Sequence, residues 1–316
     1  MQNYADQVNL HARIYAMKGR LLSLRDYASI VREKHTFALK PSNVHDLIEA
    51  KEKLFREQIA PVIELAEAYD KYAPIFLAYL RQFEVHNAKI LLIKAAGKES
   101  LEQWYDIAPF STLEKNLLNK NLTLAEVMSL LADTYPGNDF KPVSSYLRMA
   151  INLDIRAARN IFNSSFLISD QGRKEFHEMM LKRIAVLAVI WSYRLRIYHQ
   201  WSENNIRLYL EKFNNLFDVN VESRICTLQE ELKQHIDKLR KSGEQEPSVI
   251  DIEHHLEHNY YVWVSFMFHR DFHSIYCVVA YLWLLFYQIK NLFRIIDGRR
   301  FGLSDDAILN KMICNQ

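Results

Sequence analysis

The chain has 316 residues, and its sparse 7 glycines and 7 prolines beside 49% hydrophobic residues favour long helices around an ample core. Its net charge of +2 argues against general nucleic-acid binding, which requires a strongly basic surface. Three widely spaced cysteines (Cys226, Cys277 and Cys314) are typical of reduced thiols in a cytosolic protein and argue against a disulfide framework.

The N-terminal residues predict a helix followed by a capped turn. Residues 1–6 contain neither the basic nor the apolar region of a signal peptide, so none is expected. Residues 9–20 place Leu10 and Ile14 on one face at a spacing of four, as in an amphipathic helix. Ser23 then has the position and chemistry of an N-cap for a second helix.

A long helical stretch is predicted next, from about Val44 to Ala96. Kinks are expected at Pro61 and Pro74, because proline removes a backbone donor and clashes with the preceding turn. Residues 111–114 (Ser-Thr-Leu-Glu) have the form of a capping box, and Glu102 is interpreted as an acid in the first turn of a helix.

The second half of the chain continues this helical pattern. Residues 152–162 and 173–201 predict further helices, and alternating apolar and polar runs typical of strands are absent. Loops are expected at residues 40–43, 133–139, 169–172 and 241–248. The predicted fold class is therefore all-α.

The most apolar run in the sequence lies near the C-terminus. It extends from Ser274 to Ile289, which is short of the roughly 20 residues that cross a bilayer. The run therefore predicts a buried core helix, and any membrane association is expected to be peripheral. Farther on, Ser304 followed by Asp305 and Asp306 is interpreted as an N-cap with two acids in the first turn.

A helical segment recurs in the sequence at a period of about one hundred residues. One copy contains Glu84 and Asn87, and the last copy has Gln288 and Asn291 at the same two positions. The two asparagines are 204 residues apart, and the midpoint falls near Ala188 within another apolar helix. Each copy is followed by a short polar break and a new helix start.

Such a repeat predicts a pseudo-symmetric body of three helical bundles. Their expected boundaries are residues 1–110, 111–215 and 216–316. The segment from Gly19 to Asp26 also aligns with the segment from Gly298 to Asp305, so four copies bracket the three intervals.

Motifs that carry catalytic chemistry are weak in this sequence. His254 and His258 are four residues apart on a predicted helix, as paired metal ligands often are, but no second pair accompanies them, and a polar helix face is favoured. The tripeptide His269-Arg270-Asp271 lacks the rest of a kinase catalytic loop, and no Walker motif occurs. No catalytic residue, cofactor or metal is therefore expected.

Basic residues gather near both ends of the chain. They are interpreted as solvated helix ends or as contacts for an acidic partner or lipid headgroups. These candidate partner-contact residues are Arg13, Lys18 and Arg20 at the N-terminus, and Lys290, Arg294, Arg299 and Arg300 at the C-terminus.

Three segments resemble one known family. The stretch from Ala12 to Leu22, the central Val85 to Lys89 and the C-terminal Val279 to Leu303 are similar to the C-type (AC39) subunits of bacterial and archaeal V/A-type ATPases, whose eukaryotic homologues are the d-type subunits of V-ATPases. Through the repeats, the resemblance covers the whole chain.

The sequence departs from the family pattern at identifiable positions. The family often has an acid just before the asparagine turn; Glu84 keeps it, but Ala185 and Gln288 do not. Ala188 stands where an asparagine is expected in the second copy. A role that requires an acid in every copy is therefore not expected here.

The resemblance implies a funnel-shaped, all-helical body on the cytoplasmic face of the membrane rotor ring, with the central stalk docked into its open side. The implied partners are central-stalk subunits and the rotor-ring proteolipid. The implied role is mechanical: rotation is transmitted between the ATP-driven head and the ring that transports protons or sodium, without catalysis by this chain.

Two other classes remain open from the residues alone. An all-helical adaptor or scaffold would have other partners and no recruitment to a membrane. An all-α metal-dependent enzyme would carry bound metal that is lost when His254 and His258 are replaced. The repeat favours the rotor role, because its copies share no converging ligand set.

Overall fold

All regular structure in the described part of the chain is helical. The computed structural model describes residues 2–33, 44–98, 100, 102–133, 146–167, 172–216, 221–241, 247–270 and 274–314. Within these ranges the predicted all-α class is confirmed, and no strand is found. The helices are α1 Gln2–Lys18, α2 Leu24–Arg32, α3 Val44–Ala68, α4 Ala73–Ala95, α5 Leu124–Asp133, α6 Tyr146–Ser164, α7 Arg173–His199, α8 Glu203–Leu216, α9 Glu222–Lys241, α10 Val249–Arg270, α11 Ile275–Arg300 and α12 Asp305–Leu309, with short 3-10 helices η1 Lys115–Asn119 and η2 Ser165–Leu167.

The chain divides into two compact units. The first unit combines Met1–Ser169 with Gln288–Met312, and the second combines Asp170–Tyr287 with Ile313–Gln316. Helix α11 therefore begins in the second unit and ends in the first. The division into three pseudo-symmetric bundles stays a prediction.

Helix α4 is the central element of the first unit, where it packs against α3, α5 and α6. Val127 and Leu131, four residues apart on α5, lie in its main apolar cluster, so the amphipathic spacing of α5 has a direct structural reason. Burial of each large apolar side chain stabilises the fold by about 1.5–3 kcal/mol. The cluster consists of Val85, Ala88, Leu91, Leu92, Trp104, Leu113, Val127, Leu131, Met149 and Leu153.

Helix α7 has the same central place in the second unit, where it packs against α8, α9 and α10. The apolar part of α11 up to Tyr287 is almost wholly buried, so the predicted core helix at 274–289 is confirmed. Of the described residues, α11 alone is long and apolar enough to cross a membrane, and 89% of its most apolar window is buried inside the protein, as in a core helix.

Two helix starts predicted from the sequence are confirmed. Ser23 caps α2: its side chain accepts the Asp26 N–H at 3.3 Å, and Asp26 accepts the Ser23 N–H at 2.7 Å. Ser304 caps α12 by accepting the Ala307 N–H at 3.2 Å. Each cap satisfies backbone donors that the first helical turn leaves unpaired.

The single kinked helix predicted from Val44 to Ala96 is wrong. The chain forms two helices, α3 and α4, separated by a turn at Tyr69–Tyr72. Pro61 lies inside α3, whereas Pro74 stands in the first turn of α4, where its missing N–H costs no helical hydrogen bond. The second proline therefore begins a helix and does not kink one.

The helix starts predicted at Glu102 and at residues 111–114 are also wrong. Residues 102–107 are irregular, and Glu114 precedes η1 without a side-chain capping bond. The capping box lies farther along, at Thr123 and Glu126, where each residue accepts the backbone N–H of the other at 3.3 and 2.8 Å. This box starts α5.

The predicted loops fall mostly outside the described residues. This applies to residues 40–43, 134–139, 169–171 and 242–246. At their borders, Asp133 ends α5 and Lys241 ends α9. Gly172 precedes α7, and Ser248 precedes α10 and accepts the Asp251 N–H at 3.3 Å.

Candidate functional site

A thirteen-residue irregular segment, residues 102–114, is fixed by polar side chains of α3 and α4. Its far end is held by Glu84, whose side chain is fully buried in α4. One Glu84 oxygen accepts the N–H groups of Thr112 and Leu113, the latter at 2.7 Å, and the other accepts the Thr112 hydroxyl at 2.8 Å. The carboxylate therefore replaces the backbone partners that a regular helix or strand would provide.

Asn87 holds the near end of the same segment. Its side-chain amide donates to the Tyr105 carbonyl and accepts the Tyr105 N–H, both at 2.8 Å, so the pair reproduces the hydrogen bonding of neighbouring strands. Glu52 of α3 accepts the Trp104 N–H at 3.0 Å and pairs with Lys115 at 2.5 Å. Three buried side chains thus give an irregular segment one fixed conformation.

The ring of Tyr105 lies in an aromatic group with an unusual histidine. His86 lies with its ring centroid 5.3 Å from that of Tyr105. Burial lowers the pKa of His86 to about 4, assisted by the positive charges of Lys89 and Lys290 and opposed by Asp154. Burial also raises the pKa of Tyr105 well above its ordinary value. Both side chains are therefore neutral near pH 7.

Gln288 and Asn291 occupy the corresponding positions in α11, within the first unit. Gln288 accepts the Leu22 N–H at 2.7 Å and donates to Gln58 at 2.6 Å. Like Glu84, it holds a backbone N–H just ahead of a capped helix. Asn291 is buried, and its side-chain oxygen accepts from Arg294 at 3.3 Å. The last copy keeps the backbone-holding role of the first without its carboxylate.

The second copy has a different polar centre, which sequence reasoning missed. Ala185 and Ala188 are buried in α7, but Arg183 nearby is buried too and donates to Glu257 of α10 at 2.6 Å. Glu257 also accepts the hydroxyl of Tyr287. The guanidinium lies 5.0 Å from the ring centre of Trp283. An arginine standing directly before the apolar run 184–190 was the sequence signal for this pair.

The basic candidates divide into committed and exposed side chains. Arg299 donates to the carbonyls of Ile30, Val31 and Glu33 at the end of α2, and Arg294 donates to the carbonyl of Lys311 at 3.0 Å. These two arginines therefore hold the C-terminal residues of the first unit together. They satisfy carbonyls that helix ends leave unpaired.

The remaining basic candidates differ in exposure. Arg13 pairs with Glu64 at 3.7 Å, and burial lowers the pKa of Lys18. Arg20 and Arg300 are exposed, and Lys290 is half-buried near His86.

The structure does not join the two basic groups into one patch. Gln288 contacts Leu22, and Arg299 contacts Glu33, eleven residues later along the α2 segment. The two groups therefore lie toward opposite ends of this segment, separated by about 16 Å of helical rise. Whether any of these side chains contacts a partner stays a prediction.

Three long helices, α4, α7 and α11, end in the same way. A residue with left-handed backbone follows each of them: Gly97, Gln200 and Gly302, at intervals of 103 and 102 residues. After α4, the Lys98 N–H bonds the carbonyl five residues back at 3.2 Å, and after α11 the Leu303 N–H does so at 2.9 Å. These ends are Schellman caps, which require a left-handed residue and favour glycine there.

Two of these three turns expose large apolar side chains. Phe301 and Leu303, beside Gly302, are 70% and 50% exposed. Ile197 and Tyr198, just before Gln200, are 54% and 56% exposed. Exposed apolar side chains that cluster at a turn are typical of contact surfaces.

The histidines singled out in the sequence lie on α10. The rings of His254 and His258 are nearly parallel, with centroids 6.2 Å apart. Within the described ranges, no group of three or more His, Cys, Asp or Glu side chains is arranged to hold a metal ion. The three cysteines are unpaired thiols; Cys226 is exposed, and Cys277 and Cys314 are buried.

One comparison with known proteins identifies a family. The family model described as ATP synthase (C/AC39) subunit matches residues 10–311. The matched range contains all four repeat positions: Glu84, Asn87, Gln288 and Asn291. No curated protein matches the chain.

Proposed function

Because the chain belongs to the ATP synthase (C/AC39) subunit family, we propose that it is a non-catalytic central-rotor subunit of a V/A-type rotary ATPase. In this role it couples the central stalk to the membrane rotor ring, so that rotation of one turns the other and ions, protons or sodium, are transported. Its place is peripheral, on the cytoplasmic face of the membrane. The match over residues 10–311 is the observation that carries the proposal.

The repeated helix ends support a rotor role. A coupling subunit must present comparable surfaces around an axis, and Gly97, Gln200 and Gly302 close three long helices at nearly equal intervals. The exposed apolar side chains beside Gly302 and before Gln200 are suited to contact with an apolar partner surface. We assign this contact to the ring proteolipid.

The fixed conformation of residues 102–114 supports a mechanical role as well. A part that transmits torque must not deform under load, and long irregular segments are ordinarily compliant. The buried bonds of Glu84, Asn87 and Glu52 make this one stiff, at the cost of burying two carboxylates. That investment is explained if the segment bears force from the stalk.

Affinity purification tests the partners directly. The tagged chain is purified from detergent-solubilised membranes of cells that produce it, and the co-purifying proteins are identified with their ratios. We expect a ring proteolipid, central-stalk subunits and subunits of the ATPase head. Recovery of the chain alone, or with proteins unrelated to an ATPase, would refute the rotor role and favour an adaptor.

A matched pair of variants tests the assigned contact. Replacing Phe301 and Leu303 by serine removes two exposed apolar side chains, each worth about 1.5–3 kcal/mol when buried in an interface, so recovery of the ring falls at least tenfold. The control replaces Phe166 and Leu167, which are 55% and 72% exposed elsewhere in the first unit, and leaves recovery unchanged.

Coupling itself is tested in the reconstituted complex. Without the chain, the head should still hydrolyse ATP while ATP-driven ion transport is lost, and adding the chain back should restore transport. Loss of ATP hydrolysis by the isolated head would contradict a purely mechanical role.

A further inference from the structure

Two histidine rings are stacked between α9 and α10 of the second unit. The ring centroids of His235 and His255 are 3.8 Å apart, and their planes are within 13° of parallel. Nε2 of His255 also lies 3.1 Å from the side-chain nitrogen of Asn259. Because an amide nitrogen only donates, this ring nitrogen must accept, which requires it to be unprotonated.

The stack lies where α9 is only shallowly packed. The N-terminal half of α9 is anchored by the buried Ile225 and Leu232 and by Arg224, which pairs with Glu178 of α7 at 2.6 Å. From residue 233 to 241, by contrast, no side chain is buried. The histidine stack is therefore a contact that fastens this half of the helix to α10.

Protonation disrupts this contact in two ways. A proton on Nε2 of His255 places two donors against each other and breaks the bond to Asn259. A second imidazolium in the stack places two positive charges face to face at van der Waals distance. Burial lowers the pKa of His255 to about 4, and the neighbouring His235, His258 and His254 act in the same sense.

The charged groups on the surrounding helices do not offset this effect, because they are engaged elsewhere. On α7, Arg194 pairs with Glu253 at 2.5 Å and Arg183 with Glu257 at 2.6 Å. On α8, which also packs against α9, Arg207 pairs with Glu211 at 3.8 Å. On α9 itself, Glu231 and Lys238 flank His235 with opposite charges.

We propose that the His235–His255 stack is a pH-sensitive clamp that holds the C-terminal half of α9 against α10 near neutral pH and releases it on acidification. The released element is residues 233–241, while the anchored residues 222–232 stay in place. Acidification of the surrounding solution thereby changes the surface of the second unit without unfolding it.

Hydrogen exchange of the full-length chain tests the clamp. Exchange of peptides covering 233–241 and 222–232 is measured at pH 7.5 and 5.5, with rates corrected for the intrinsic effect of pH. One pH unit below the ordinary histidine value of about 6.5 favours an open form with an exposed ring by up to about tenfold. We expect that increase in 233–241 and no comparable change in 222–232.

Phenylalanine variants isolate the titrating group. His255→Phe keeps a stacked ring that cannot be protonated, so exchange of 233–241 should no longer respond to pH, and His235→Phe should act in the same direction. His269→Phe, at the exposed end of α10, is the matched control and keeps the wild-type response. A response retained in His255→Phe overturns the clamp, as does loss of protection in 222–232 together with 233–241.

Ring resonances of the wild-type chain provide a measurement that does not depend on variant folding. The His255 ring should titrate well below pH 6.5. An ordinary midpoint near 6.5 would show that the stack places no constraint on protonation, and the proposal would fail.

Discussion

Replacing Glu84 tests whether one buried carboxylate fixes the segment 102–114. Glu84→Ala removes the acceptor for three hydrogen bonds, from the N–H groups of Thr112 and Leu113 and from the Thr112 hydroxyl. The Leu113 N–H is buried, and leaving it unpaired costs about 1–3 kcal/mol. Thr112 is exposed and regains water, so its charge-assisted bonds account for about 1 kcal/mol more. We expect a total loss of about 3 kcal/mol.

Glu84→Gln is the informative comparison. Both backbone N–H groups bond the same Glu84 oxygen, and a glutamine carbonyl can accept both, while its amide can donate to the Thr112 hydroxyl. Only the charge assistance is lost, at about 1–2 kcal/mol. The chain already carries this side chain at the equivalent Gln288, which holds the Leu22 N–H.

Hydrogen exchange of the Leu113 amide gives the local free energy of opening. A loss of about 3 kcal/mol corresponds to roughly 100-fold faster exchange in Glu84→Ala, with a roughly tenfold change in Glu84→Gln. Glu114→Gln, which changes an exposed carboxylate in the same segment, should stay within a few tenths of a kcal/mol. Equal exchange in the wild type and Glu84→Ala, or a larger effect of glutamine than of alanine, would refute the reasoning.

Three further predictions concern other parts of the molecule. The pKa of His86 is lowered to about 4 in the folded chain, so the unfolded chain binds more protons between about pH 6.5 and 4; the free energy of unfolding should fall by up to about 3 kcal/mol across that window, and denaturant titrations at several pH values should show a smaller fall in His86→Phe. Arg183→Met strands the Glu257 carboxylate and should destabilise the second unit by about 3–5 kcal/mol, whereas Arg183→Met with Glu257→Gln should recover part of it; equal losses in both variants, measured by urea unfolding, would contradict a buried ion pair. Gly302→Ala places a side chain at φ 67° and should cost about 1 kcal/mol in thermal unfolding, while Gly19→Ala, outside the left-handed region, should cost less.

The helical class, the caps at Ser23 and Ser304 and the buried helix at 274–289 followed from local patterns. Each depends on a few consecutive residues, and the amphipathic spacing and cap chemistry that predict them act locally. The family resemblance also followed from sequence and is confirmed by the match over residues 10–311.

The errors arose where distant residues decide local structure. Residues 111–114 match a capping box, but the N–H and hydroxyl of Thr112 are bound by Glu84 from α4, and that long-range partner outcompetes the local cap. The true box at Thr123 and Glu126 carries the same signal and was overlooked. The ion pair of Arg183 with Glu257 joins two helices, and no local pattern in the sequence could pair them.

The hydrogen bond between Gln288 and Leu22 joins residues separated by 266 positions in sequence. Most of the first unit leaves the ribosome early, yet Gln288, Asp297 and Arg299, which bind α2 and α3, are made among the last residues. The second unit, complete almost entirely at Tyr287, is available to fold sooner. Contacts of such high sequence separation are slow to form. During synthesis, the later-coded unit therefore acquires its structure first, and the N-terminal helices wait for the end of the chain.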